Sequence, residues 1–221
     1  MRFFNALEGI RRIRKAMNLS LWASVAAAAL VPVSLSWPPP VFPALLLSLA
    51  VLGLSLAALI LELMGVNQAA RDQAHFDSAR TLLIFSIVLS LVKAFLSQQS
   101  PAYVLLNLIS GLLALRITLQ IIQGVIQLAV LCGWGDLTDQ GRRLTTVVLI
   151  TALSSVLLSL LNSIFHFAAK YPDLTILIAL TALALSILEL VLMLRYLARA
   201  IEMLSLQRTD NPSSAFSHVI Q

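Results

Sequence analysis

The stretch "PAYVLLNLISGLLALRITLQIIQGVIQLAVL", Pro101–Leu131, is apolar along its length apart from one arginine, Arg116, and scattered amides and hydroxyls. A helix needs about 20 apolar residues to cross roughly 30 Å of hydrocarbon. This run is long enough, and it has close relatives on both sides. Apolar segments at about 17–37, 42–66, 80–97, 102–132, 144–166 and 174–197 are predicted as six transmembrane spans. All six are expected to be helices, because an unpaired backbone group in lipid costs several kcal/mol. The fold class expected is an all-α polytopic membrane bundle.

Composition agrees with that reading. The chain of 221 residues is 59% hydrophobic and 11% charged, with a mean hydropathy of +0.93, outside the range of soluble domains. The basic start followed by "LWASVAAAALVPVSL" resembles a signal peptide, but it lacks a small-x-small cleavage site and five more spans follow. It reads as a retained first helix, with Pro32 as a candidate kink. The single cysteine, Cys132, excludes an internal disulfide framework. The net charge of +5 speaks first for membrane orientation and contact with anionic lipid, and not for nucleic acid.

The 15 Lys and Arg set the orientation. Arg2, Arg11, Arg12, Arg14, Lys15, Arg71, Arg80, Arg142, Arg143, Arg195, Arg199 and Arg208 fall on one side of the six spans. The opposite turns, "SWPPPVFP", "SQQSP" and "AAKYPD", hold only Lys170, and Lys93 and Arg116 lie within spans. Both termini are then expected in the cytoplasm. Trp22, Trp134 and Tyr196 fall near the inner boundary, and Trp37, Tyr103 and Tyr171 near the outer one, as amphipathic rings prefer.

The six spans group into three hairpins. Pro43, Pro101 and Pro172 stand at the starts of the returning helices, where a missing N–H is harmless. "ILEL" occurs at Ile60–Leu63 and again at Ile187–Leu190, and "GVNQAA" (Gly65–Ala70) resembles "GVIQLA" (Gly124–Ala129). Three weak parallel repeats are expected. Residues 1–16 form an amphipathic segment, with Phe3, Leu7, Ile10, Ile13 and Met17 at helical intervals. It reads either as an interfacial helix on anionic lipid or as topogenic charge alone. The six-helix domain is then 17–208, and the polar tail 209–221 is expected to be disordered.

Within the spans, charged and amide side chains are the candidates for function. Counted from the three prolines, Glu62 lies 19 residues on, Arg116 15 and Glu189 17, so Arg116 and Glu189 share a depth. An unpaired charge there is costly, so Arg116 is expected to pair with Glu189, with Glu62 as the rival partner. Arg116, Gln120, Gln123 and Gln127 follow the i, i+4, i+7, i+11 spacing of one helix face, and Asn107 and Ser110 are the polar residues of that helix farther out. The stripe reads either as the lining of a water-filled vestibule or as a seam of interhelical hydrogen bonds. Ser155, Ser159, Asn162 and His166 on span 5 either extend a polar path outward or serve small-residue packing. Lys93 is placed to snorkel outward. Asp72, His75 and Asp77 in "ARDQAHFDSAR", and Asp136 and Asp139 in "GDLTDQGRR", are oxygen and imidazole donors in predicted loops, but their spacing matches no metal motif.

The sequence contains no HExxH, GxSxG or phosphate loop, so neither catalysis nor a cofactor is expected. "GVNQAARDQAHFDSARTL" and "GVIQLAVLCGWGDLTDQGRRL", each between two apolar helices, resemble segments of small bacterial multi-pass membrane proteins of unassigned function. The resemblance implies the topology and no activity. Two functional classes follow from the residues: a non-enzymatic membrane scaffold that binds a membrane partner or another copy of itself, or a small transporter or channel using the Arg116–Gln127 stripe.

Overall fold

In a computed structural model the chain is all-helical, and residues 3–35, 41–96, 100–165 and 172–209 are described. Among the described residues six helices follow in order: α1 Phe4–Leu35, α2 Val41–Ala69, α3 Ala74–Ala94, α4 Pro101–Leu131, α5 Gly135–Phe165 and α6 Pro172–Thr209. Four of them, among the described residues, contain stretches long and apolar enough to cross a membrane: Leu45–Ala69, Ala74–Ala94, Ala102–Leu131 and Leu180–Gln207. The tail 210–221 lies outside the described residues.

Each helix packs on its neighbours in sequence, and α6 returns to pack on α1, so the helices form a closed ring in chain order. The α1–α2 interface is the most extensive, and α4 and α6 only graze each other across the ring.

The helices run farther at the basic end than hydropathy alone predicts. The expected loop of residues 67–79 is mostly helix: α2 continues to Ala69 and α3 begins at Ala74, which puts His75 and Asp77 on α3. The cause is amphipathic periodicity, since Phe76, Ala79 and Leu83 recur at i, i+3, i+7 and are buried together. Asp77 in the first turn also suits the helix dipole. On α5, Leu137, Leu144 and Val148 do the same for the stretch after Gly135. On α6, Ala200, Met203 and Leu204 extend the buried face well past residue 197. Between α4 and α5, Gly133 takes φ 74°, a conformation that favours glycine, and the Trp134 N–H bonds back to the Ala129 carbonyl at 2.9 Å.

The N-terminal segment is also revised. Helix α1 continues unbroken from residue 4 past Pro32 to Leu35. Its apolar residues Leu7, Ile10, Ile13 and Met17 are buried in the protein core, so protein and not lipid covers the face of this segment. Its first turn is tied to the α2–α3 turn: Asp72 accepts from the Ala6 backbone N–H at 2.7 Å and from the Asn5 amide at 3.1 Å, which satisfies an otherwise orphan helix-end donor.

The core therefore sits at the basic end. Toward the other end the helices present apolar side chains outward, as at Leu52 (66% exposed) and Phe95 (90%). At the core, α1 and α2 approach backbone to backbone. A Cβ added to Gly65 would lie 2.7 Å from the Gly9 carbonyl oxygen and 2.9 Å from the Ile13 nitrogen, whereas one at Gly53 meets nothing within 4 Å. Gly65→Ala is expected to cost about 1–3 kcal/mol by overpacking and to lower the melting temperature in detergent. Gly53→Ala should leave it unchanged or raised, because alanine is the better helix former. Equal losses at the two positions would mean that close approach does not hold this pair.

Candidate functional site: a polar seam between α3 and α4

The polar stripe of α4 lies on a helix, as its spacing predicts, and α3 buries Gln120 and engages the exposed Gln127. Gln120 is buried at 6% exposure, and its side-chain oxygen lies 2.8 Å from His75 Nδ1. Gln127 Nε2 lies 2.6 Å from His75 Nε2, and Gln73 Nε2 donates to Gln127 Oε1. An amide oxygen can only accept and an amide nitrogen can only donate, so the contacts assign the tautomer: Nδ1 carries the proton and Nε2 accepts. A one-way chain of donors results, Gln73 to Gln127 to His75 to Gln120. Gln123, half-buried, stands outside it.

The local sequence explains why α3 meets α4 here. Gly124 lacks a side chain where the Phe76 ring lies, and a Cβ there would be 2.7 Å from Phe76 Cε2. With Phe76 seated on Gly124, its neighbour His75 is carried to the amides one turn to either side, Gln120 and Gln127.

The stripe does not continue toward the other end. Asn107 accepts from Lys93 Nζ at 2.9 Å, and the same ammonium lies 5.3 Å from the centroid of the Tyr103 ring, forming a separate α3–α4 contact. The Ser110 hydroxyl donates to the Leu106 carbonyl of its own helix. On α5, Ser155 likewise donates to the Thr151 carbonyl at 3.0 Å. Helix α5 includes Ser159 and Asn162, whose side chains lie outside the described residues, as does His166 altogether.

The expected ion pair is not formed. Arg116 is exposed, and among the described residues it pairs with neither Glu189 nor Glu62. Glu189 instead accepts from the Thr151 hydroxyl at 3.4 Å, across the α5–α6 contact. Equal depth does not put two residues on facing sides of their helices. Ile117 is buried in the core while Arg116, about 100° around the helix from it, is exposed. Helix α4 packs between α3 and α5 and only grazes α6, which carries Glu189.

The loop carboxylates also go separate ways. Asp72 holds the start of α1, and Asp77 pairs with Arg80 at 2.6 Å, whose other guanidinium nitrogen donates to Asn67 on α2. Among the described residues no three His, Cys, Asp or Glu come together as a metal set. The chain matches no family model, no curated protein and no solved structure, so its chemistry is argued from its own geometry.

His75→Leu leaves the buried Gln120 amide without its partner and is expected to destabilise the protein by about 1 kcal/mol. Adding Gln120→Leu should recover most of that loss. A thermal-melt double-mutant cycle in detergent reads the coupling, and purely additive effects would show that the two side chains do not interact.

Proposed function

We propose that this chain is a non-catalytic integral membrane component of the bacterial plasma membrane, which acts by binding a membrane partner or a second copy of itself. In this reading it crosses the bilayer six times as three weakly repeated hairpins, with both termini in the cytoplasm. The four apolar helices support membrane residence. The arginine distribution supports the orientation.

The observation that carries the binding reading over transport is the seam. Gln120 and Gln127, which a vestibule would offer to water or solute, are engaged by His75 and Gln73. Toward the other end, the amide of Asn107 is engaged by Lys93 and the hydroxyl of Ser110 by its own helix. A water path needs polar groups left available along one face from end to end.

Apart from Arg116 and Gln123 on the stripe, what the spans leave available is mainly apolar surface. Leu49, Leu52 and Leu56 on α2, and Phe85, Val88 and Val92 on α3, stand exposed along the spans. Lipid tails cover such surface without discrimination, whereas another helix adds close packing.

Cysteine scanning of positions 107 to 127, in a Cys132→Ala background and in native membranes, tests this reading. Protection of Gln120 and the residues farther out from a membrane-impermeant thiol reagent is the expected outcome, with labelling confined to the basic end near Gln127. Continuous labelling of one face from Asn107 to Gln127 would instead establish an aqueous path and a transporter.

A further inference from the structure

Helices α5 and α6 separate at the basic end into an open groove of about 310 Å³. Arg143 contributes to it from α5, and Arg195 and Arg199 from α6. All three are exposed, and among the described residues none takes part in an ion pair. The nearest acidic residues along these helices, Asp139 and Glu202, are not within ion-pair distance of them. Elsewhere at this end, Arg11 and Arg12 lie against Glu8, and Arg80 pairs with Asp77. Three uncompensated guanidiniums around one concavity repel one another and favour an anion among them.

The rest of the lining says what kind of anion. Farther from the basic end the walls become apolar, with Leu144 next to Arg143 and Val147 and Leu192 about one turn beyond Arg143 and Arg195. The groove thus grades from cationic to apolar along the helix axes. Tyr196 also lines it, 4% exposed, and its hydroxyl is buried without a hydrogen-bond partner. Gly141 lets the ring lie that deep, since a Cβ there would be 2.5 Å from the hydroxyl oxygen. Guanidiniums are weakly hydrated forks that match phosphate oxygens.

We propose that this groove holds the phosphate headgroup of an anionic phospholipid of the cytoplasmic leaflet, with its acyl chains lying along Leu144, Val147 and Leu192. A free phosphate uses only the arginines, whereas a lipid uses both ends of the gradient. The assignment to that leaflet rests on the membrane orientation proposed above, and the site adds a specific ligand to it.

Native mass spectrometry of the full chain, released from micelles containing equal amounts of dioleoylphosphatidylglycerol and dioleoylphosphatidylcholine, is the test. The wild type is expected to retain one phosphatidylglycerol in preference to phosphatidylcholine. The triple variant Arg143→Gln, Arg195→Gln, Arg199→Gln should lose at least tenfold of that preference, given the usual strength of arginine–anionic lipid attraction. Val147→Trp, which fills the apolar wall and leaves the arginines in place, should also reduce it.

A control removes the same charge elsewhere at the basic end through Arg14→Gln, Lys15→Gln and Arg71→Gln. Equal loss in this control would reduce the effect to general surface charge and overturn the site. Full retention by the groove variants would overturn it as well. Displacement of the lipid by millimolar inorganic phosphate, with no effect of Val147→Trp, would assign the groove to free phosphate instead. Melting temperatures confirm that each variant is folded. Carbonate extraction of the membranes separates the two readings: a chain that stays in the membrane yet shows no lipid preference fails only the groove, and one released by carbonate fails the membrane reading itself.

Discussion

Two helices in hydrocarbon gain little by burying apolar surface against each other, because the lipid is as apolar as the partner. Cohesion there must come from close backbone approach and from hydrogen bonds, and this chain gathers both at its basic end. Gly9 and Gly65 bring α1 and α2 together main chain to main chain, Gly124 receives Phe76, and Gly141 receives Tyr196. The helices also extend past the predicted spans at that end. The buried cluster running from Leu7 and Ile10 through Phe76, Leu128 and Leu137 to Met203 lies there.

The α3–α4 seam has the same logic. A buried amide is costly unless it is hydrogen-bonded, and His75, which donates with one nitrogen and accepts with the other, joins the buried Gln120 to the exposed Gln127 two turns away on α4. A histidine used this way serves cohesion, and its reactivity is held in two fixed contacts. This is why the stripe supports a binding protein better than a conduit.

The fold class was legible because hydrocarbon thickness fixes helix length, and apolar runs such as Pro101–Leu131 announce that length directly. The face shared by Gln120 and Gln127 was legible from spacing, since 3.6-residue periodicity is a property of one helix. Its partner His75 was not, because it belonged to a stretch read as loop; the Phe76, Ala79, Leu83 periodicity was the signal that could have moved it onto α3. The Arg116–Glu189 pair failed for a related reason. Depth can be counted from a proline, but facing requires knowing which helices are neighbours, and only the ring order supplies that. The apolar face of residues 1–16 was visible as a pattern, yet the pattern is the same whether lipid or α2 and α6 cover it.

The ring closes between the first helix and the last. A chain made from its N-terminus therefore completes α1 at Leu35 and waits 137 residues, to Pro172, before α6 even begins. During that interval Ile10, Ile13 and Met17 have only α2 beside them. Until α6 is made, the apolar face of α1 is incompletely covered and open to insertion factors or to quality-control proteases.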